Sequence, residues 1–321
     1  MKKVFITGGS GTVGSTFIEK YLGIYKFYSY SRNEKMQVAL KRRFPEVEII
    51  LGAVDDKLAV LTSIAKIKPD IIIHAAALKH VDNAEFSVIH AIKSNVIGSL
   101  NIIEAAVINL VPITIAISTD KACSADSNYG YTKALMEKMF LEAHNDTTIF
   151  NVCRFGNVSH SHGSVISYWL ELNANKKPLP LTHASMNRLM FSRYEAAELI
   201  NSAIDKSRND DKPFILSQKM KSVNMFKLAE TISNNIVSVG LRPGEKLDEI
   251  LISKKELCYT FVEGKHITIR EYKNDGENTL KNEYSSKNAE FMSHDEIISI
   301  ITDGDEILKE FLLKERVYRT A

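Results

Sequence analysis

Short apolar runs recur along this chain, and most are followed by a longer stretch whose apolar residues return every three or four positions. A short apolar run bounded by turn residues argues a buried strand, and the longer recurrence argues a helix. Met1-Lys-Lys-Val-Phe-Ile-Thr7 reads as a strand, and Ser15 to about Leu22 as the helix after it. Further strands are expected at Lys26–Tyr30, Val47–Leu51, Pro69–His74, Ile113–Ile117 and Thr148–Cys153, with a long helix from Ala91 to Ile108. Strands alternating with helices predict an α/β fold with a doubly wound parallel sheet. After Arg154-Phe-Gly-Asn157-Val the rhythm changes, and Lys176-Lys-Pro-Leu-Pro180 breaks it. Phe191 to Ile204 reads as a helix returning to the first unit, and Lys212-Pro-Phe-Ile-Leu216 as a last strand. The expected division is therefore 1–159, to which 188–218 return, and a smaller discontinuous unit of 160–187 and 219–321.

The first strand runs into Gly8-Gly-Ser-Gly11-Thr-Val-Gly14, readable as Gly9-x-Gly11-x-x-Gly14 or Gly8-x-x-Gly11-x-x-Gly14. Between a strand and a helix, this is the Rossmann signature. Glycines let the backbone turn tightly and approach a pyrophosphate, and the next helix points its free N–H groups at that phosphate. The second strand ends in Ser31-Arg32-Asn33-Glu34-Lys35. A free ribose hydroxyl asks for a carboxylate at this tip, whereas a 2′-phosphate asks for cations. Ser31, Arg32 and Lys35 supply a hydroxyl and two cations, while Glu34 falls inside the following helix, so NADP is the expected cofactor.

The chemistry concentrates in Ser118-Thr-Asp-Lys-Ala-Cys-Ser-Ala-Asp-Ser-Asn-Tyr129-Gly-Tyr-Thr-Lys133, directly after the fifth strand. Asp120, Lys121, Tyr129 and Lys133 bring an acid, a phenol and two amines together. Tyr129 and Lys133 are one helical turn apart and project from one face. An ammonium beside a phenol favours the phenolate, which a base near neutral pH requires. The small residues Ala75 to Ala77, after the fourth strand, either let a cofactor lie over the strand ends or pack tightly.

Composition sets bounds on these readings. A chain of 321 residues predicts one large and one smaller domain. Hydrophobic content of 45% supplies a sizeable core, and a net charge of +2 offers no basic excess for nucleic acid. The cysteines Cys123, Cys153 and Cys258 have no metal-ligand spacing, and His160 with His162 lacks a third ligand, so no metal is expected. No leader is evident and no apolar run reaches membrane length, so a cytoplasmic protein without membrane contact is expected.

Taken together, the chain resembles the extended short-chain dehydrogenases/reductases. Within them it is most similar to the inverting UDP-N-acetylglucosamine 4,6-dehydratases (5-epimerising), which open the pseudaminic acid route of polysaccharide biosynthesis. The resemblance rests on Thr7-Gly-Gly-Ser-Gly-Thr-Val-Gly14, Tyr30-Ser-Arg32, His74-Ala-Ala-Ala-Leu-Lys-His80 and Ser118-Thr-Asp-Lys121. It continues through Tyr129-Gly-Tyr-Thr-Lys133, Arg154-Phe-Gly-Asn-Val158, Gly163-Ser-Val165, Leu241-Arg-Pro-Gly-Glu-Lys246, Glu283-Tyr-Ser-Ser286 and Phe291-Met-Ser293.

That resemblance implies an NADP-dependent lyase acting on a UDP-sugar, a homo-oligomer, with no net redox change. Tyr129 would take the C4 hydroxyl proton, with Lys133 holding the phenolate and the nicotinamide ribose. Lys121, if neutral in a desolvated site, would take the C5 proton. Asp120, if protonated, would give a proton to the departing C6 hydroxyl, and hydride return to C6 with reprotonation of C5 from the opposite face would invert that centre. The implied cofactor contacts are Gly8, Ser10, Gly11, Thr12, Val13, Gly14, Ser31, Arg32, Lys35, Val54, Ala75, Lys79, Ser118, Thr119, Tyr129, Lys133 and Val158. The implied substrate contacts are Lys79, Asn157, His162, Gly163, Ser164, Val165, Thr182 and Arg242, with Arg242 a bidentate donor to the diphosphate.

Five positions depart from the pattern of that group. Ala53 replaces the Asp expected to meet adenine, His162 replaces an Arg near the diphosphate, Ser124-Ala125 replaces Asn-Pro, and Asp248 replaces a His. A variant releasing a 5,6-ene, an NADP-dependent epimerase or 4-reductase of the same fold, and a non-catalytic NADP sensor stay open as alternatives.

Overall fold

The computed structural model describes residues 1–161, 163–276 and 278–305, together with Leu308 and Leu312. The chain opens with β1 (Lys2–Thr7), α1 (Thr12–Tyr21), β2 (Tyr25–Ser31), α2 (Glu34–Arg43), β3 (Glu48–Leu51), α3 (Lys57–Ile67) and β4 (Ile71–His74). A long helical stretch follows: α4 (Val81–Phe86), α5 (Val88–Ala91), a π-helical turn (Ile92–Ile97) and α6 (Gly98–Ile108). Then come β5 (Ile113–Thr119), α7 (Asn128–Glu142) and β6 (Ile149–Phe155). The second half contains β7 (Asn157–Val158), α8 (Val165–Ala174), β8 (Leu179–Leu181), β9 (Asn187–Phe191), α9 (Arg193–Ser207) and β10 (Ile215–Gln218). It closes with β11 (Lys221–Asn224), α10 (Met225–Ile232), β12 (Ile236–Ser238), β13 (Ile250–Ile252), β14 (Thr260–Glu263), β15 (His266–Ile269), β16 (Tyr284–Ser285) and α11 (His294–Thr302).

Nine strands form one sheet in the order β14-β15-β10-β6-β5-β4-β1-β2-β3. From β3 to β10 the neighbours are parallel. Parallel strands are covered on both faces, which is why they read as near-continuous apolar runs. Val4, Phe5 and Ile6 of β1 and Ile71, Ile72 and Ile73 of β4 are wholly buried. The strand order reverses between β1 and β4, and the crevice beyond the strand ends at such a reversal is where this architecture binds ligands. A second apolar cluster, with Trp169, Leu179, Leu228 and Ile301 at its centre, forms beneath α8, β8, α10 and α11.

Several boundaries differ from the sequence expectation, for identifiable reasons. β5 continues through Ser118 and Thr119, because their backbone keeps pairing with Arg154 and Phe155 of β6. Phe191 closes β9, and its helix starts two residues later behind the capping box of Ser192 and Glu195. β10 is not the last strand: β15 pairs with it antiparallel and β14 completes a hairpin. The segment 260–269 therefore lies on the large sheet and covers what would be an open edge, not in the smaller unit.

The long helix begins earlier than Ala91, and this corrects the expectation that no stretch reaches membrane length. Val88–Ile108 is 21 residues long and apolar enough to cross a membrane by length and composition alone. A core helix passes the same test, and 56% of the apolar window is buried within the fold. Its π-helical turn presents Asn95 inward, where the side chain donates to the Leu78 carbonyl and to Thr132 and accepts from the Leu78 N–H. π-turns of this kind concentrate near functional sites.

His74, at the end of β4, lies between Thr7 and Ser99. Ser99 Oγ gives its proton to the Asn95 carbonyl, so it accepts from His74 Nε2 while Nδ1 accepts from Thr7. Burial, with the Lys133 charge added, lowers the His74 pKa from 6.5 to about 3. Between those values only the unfolded chain takes up the proton, so stability falls as pH drops through that window. We expect this residue alone to remove about 2 kcal/mol between pH 7 and pH 5. Urea midpoints of the wild type and His74→Gln across that range test it, since the variant should lose the excess slope. An unchanged slope would mean that other groups set the acid sensitivity.

Candidate active site

A cavity of about 990 Å³ opens at the strand reversal and runs from the glycine loop to the smaller unit. At its floor Gly8 takes φ +68°, and its N–H bonds the Tyr30 carbonyl at 2.8 Å. A Cβ on Gly14 would lie 2.6 Å from the Gly8 carbonyl oxygen, so a side chain there would force the loop apart. Gly11 stands at the N-cap of α1, where no side chain caps the helix and no acid occupies the first turn. This cradle fits a pyrophosphate.

Of the expected cofactor contacts, Gly8, Ser10, Gly11, Thr12, Val13, Gly14, Ser31, Arg32, Val54, Ala75, Lys79, Ser118, Thr119, Tyr129, Lys133 and Val158 all line this cavity. Lys35 does not: it lies on the exposed side of α2, and Met36 takes its place on the wall. Glu34 is the first residue of α2, as expected. Arg32 Nη1 lies 3.3 Å from His90 Nε2, an exposed partner from the long helix. The carboxylate missing at Ala53 returns two residues on, because Asp55 stands on the wall.

The reactive cluster differs from its expected wiring. Lys133 Nζ donates to the Ile117 carbonyl at 2.6 Å and lies 3.3 Å from Met136 Sδ. Burial pulls its pKa down to about 8, against the attraction of Glu137. Tyr129 is pushed up to about 12 by burial, and the cation that opposes this is Lys121, aided by a hydrogen bond from Thr119. The charge that acts on the phenol is thus Lys121, not Lys133. Lys121 itself reaches about 12: burial alone would lower it, but Asp120 and Glu249 outweigh that. The expectation of a neutral lysine is corrected accordingly, because two carboxylates hold the ammonium in place.

Asp120 was expected to meet the substrate, yet it is fully buried and absent from the cavity wall. Its Oδ1 accepts from Thr119 Oγ1 at 2.9 Å and Lys121 Nζ at 3.0 Å, and its Oδ2 is buried without a partner among the described residues. Glu249 approaches from the far side, with Oε1 3.6 Å from Lys121 Nζ, and it does line the cavity. No sequence signal singled it out beyond its place after Leu241-Arg-Pro-Gly-Glu-Lys246.

A buried ionic network ties these pieces together. Arg154 forks onto Glu137 with bonds of 2.9 and 2.7 Å, donates to the Leu251 carbonyl at 2.9 Å, and meets Glu256 Oε1 at 2.9 Å. Glu256 also accepts from Cys123 Sγ at 3.2 Å, so the reactive loop, α7, β6 and the segment after β13 share one anchor.

On the substrate side, Lys79, Asn157, Gly163, Ser164, Val165, Thr182 and Arg242 line the cavity, whereas His162 lies outside the described residues. Burial lowers the Lys79 pKa. Arg242 contacts Glu245 at 2.6 Å and Asp82 at 3.6 Å, which places its loop across α4. Arg188, unforeseen from sequence, also stands on the wall, its guanidinium held by the carbonyls of Asn187, Lys246 and Leu247. Asp248 accepts from Asn187 and Ser286, a joint between loops, and His160 bonds the Ile300 carbonyl. Ser124 adopts φ +53°, and its carbonyl accepts from Lys246.

Comparison with known proteins places this arrangement among relatives. Residues 4–271 match the family described as polysaccharide biosynthesis protein. The UDP-N-acetylglucosamine 4,6-dehydratase (inverting) of Campylobacter jejuni subsp. jejuni serotype O:23/36 is 36% identical over 272 residues, 81% of this chain and 80% of its own. The UDP-glucose 4-epimerase of Rickettsia bellii is 30% identical over 340 residues, 96% of this chain and 98% of its own. Among solved structures, Pen from Bacillus thuringiensis has a TM-score of 0.86 at 28% identity, covering 94% of this chain and 97% of that one.

Proposed function

The chain belongs to the polysaccharide biosynthesis protein family, and from that membership we propose that it acts as an NADP-dependent, inverting UDP-N-acetylglucosamine 4,6-dehydratase. One observation carries the reading. The cavity that holds the glycine loop also holds Tyr129 and Lys121, with Lys121 set between two carboxylates. Oxidation at C4 needs only a phenol-type base, whereas loss of water needs a second base at C5. A site with both is built for elimination.

The glycine loop and the start of α1 would hold the cofactor's pyrophosphate, with Ser31 and Arg32 on its 2′-phosphate. Bound there, NADP+ would supply a hydride acceptor for C4 and a hydride donor for the sugar afterwards, so no external reductant would be consumed. Tyr129 takes the C4 hydroxyl proton, helped by the Lys121 charge. Lys133 anchors the start of α7 to β5 through the Ile117 carbonyl. Lys121 removes the C5 proton, and a proton returned to C5 from the opposite face of the sugar inverts that centre. Arg242 and the Gly163-Ser164 turn receive the UDP diphosphate. Self-association through the apolar residues left exposed before and within the long helix, such as Phe86 and Ile89, belongs to the same proposal, as does a cytoplasmic location.

Incubation of pure protein with UDP-N-acetylglucosamine, without added reductant, tests the reading. Loss of one water is expected by mass, and a C6 methyl with solvent deuterium at C5 is expected by NMR in D2O. An exocyclic methylene would identify the 5,6-ene variant, which is an isomer and invisible to mass alone. A C4 epimer without water loss would support the epimerase reading, which the Rickettsia bellii relative favours.

Cofactor choice gives a separate prediction. A charge-assisted hydrogen bond contributes roughly 1.5–3 kcal/mol, so Arg32→Ala should weaken NADP(H) binding roughly 10–100-fold. NAD(H) affinity should stay within about twofold, because Arg32 has no contact to make with a free 2′-hydroxyl. Fluorescence titration of both nucleotides checks it, and parallel losses would place Arg32 elsewhere.

A further inference from the structure

Arg32 is exposed at the tip of β2, on the wall of the nucleotide end of the cavity. An exposed arginine moves among many rotamers, and an anion that captures it must also order it. In this protein a second segment already holds the side chain. His90, in α5 and 58 positions further along the chain, places Nε2 3.3 Å from Arg32 Nη1. A guanidinium offers only N–H donors, so the imidazole nitrogen facing it is the acceptor and carries no proton in this pair. The helix gives His90 a firm base. Ala91 beside it is wholly buried, and the π-helical turn that follows is tied through Asn95 to Leu78 and Thr132.

The kind of acceptor matters. Lys121 and Arg242, two other cations of the wall, are held by carboxylates. A carboxylate at Arg32 would order the guanidinium equally well, but it would repel a 2′-phosphate brought to the same place. A neutral imidazole orders it without adding negative charge, and leaves the other N–H groups to grip a phosphate. Resting on the NADP reading of the cofactor, we propose that His90 is a positioning residue for 2′-phosphate selectivity. It acts through Arg32, and touches neither the phosphate nor the reacting atoms. Selectivity is then shared between β2 and the long helix, and does not reside at the strand tip alone.

Fluorescence titration of NADPH and NADH on His90 variants tests this. His90→Ala should weaken NADPH binding roughly 3–10-fold, the worth of one hydrogen bond. NADH affinity should stay within about twofold, because a free 2′-hydroxyl makes no use of Arg32. His90→Gln should recover most of the NADPH affinity, since its carboxamide oxygen can accept from Arg32 where a methyl group cannot. With Arg32→Ala already in place, His90→Ala should add no further loss, because the two residues act as one unit. Unchanged NADPH affinity in His90→Ala would overturn the proposal, as would a parallel fall in NADH affinity or a failure of His90→Gln to recover binding. A further loss in the double variant would overturn it too, by showing that His90 does not act through Arg32. Wild-type protein that binds the two nucleotides equally well refutes the NADP reading itself.

Discussion

Lys121→Met should leave an enzyme that oxidises the sugar and then stalls. The C4 step needs Tyr129 and a hydride acceptor, so some NADPH absorbance should still appear in a single turnover. Elimination needs the amine at C5, so release of dehydrated product should fall ~10²–10⁴-fold. The structure adds a complication that the local motif does not contain. Lys121 is the cation that lowers the Tyr129 pKa from its buried value, so methionine there should slow the oxidation as well. Lys121→Arg separates the two contributions. Arginine keeps the charge beside Tyr129 but cannot give up its proton. It should therefore oxidise faster than the Met variant and eliminate no better. Substantial dehydration by Lys121→Arg would remove Lys121 as the C5 base and move that role to another group of the site.

The second large effect is on stability and comes from Arg154. Its guanidinium is 2% exposed and neutralises Glu137, itself 4% exposed, together with Glu256. Removing one member of a buried pair leaves an uncompensated charge, which typically costs roughly 3–5 kcal/mol. Arg154→Met strands two carboxylates and should reach at least that range, read as a shift in urea midpoint with unchanged slope. Adding Glu137→Met should recover part of the loss, because apolar replacement of a whole buried pair is often neutral. A loss below about 1 kcal/mol for the single variant would mean that the network relaxes or takes up water. Activity should fall with stability even where the variant stays folded, since the anchor spans α7, the reactive loop through Cys123, and the segment just after Glu249 and β13.

Much of this molecule is legible along the chain because the relevant physics is local. Strands buried on both faces are short and apolar throughout, so β1 and β4 are plain in sequence. The glycine loop declares itself because at Gly8 and Gly14 the backbone of a neighbouring segment leaves no room for a side chain. Tyr129 and Lys133 share a helix face because one turn separates them. Ser31 and Arg32 at the tip of β2 are legible because they directly follow its apolar run. These features determine the fold class, the nucleotide end of the cavity and the position of the phenol.

What the tertiary structure decided is who partners whom. The one-turn spacing suggests Lys133 beside the phenol, but Lys133 turns to the Ile117 carbonyl while Lys121 faces Tyr129. Adjacency in sequence suggests Asp120 as the acid, but β5 ends so that Asp120 is buried and only Lys121 reaches the wall. Glu249, Arg188 and Glu256 enter from distant segments, and ion pairs across a fold carry no period and no fixed spacing. The hairpin of β14 and β15 escaped for the same reason: its strands are recognisable only by the open edge of β10 that they cover. Periodicity is a property of the chain, and charge pairing is a property of the space into which the chain folds.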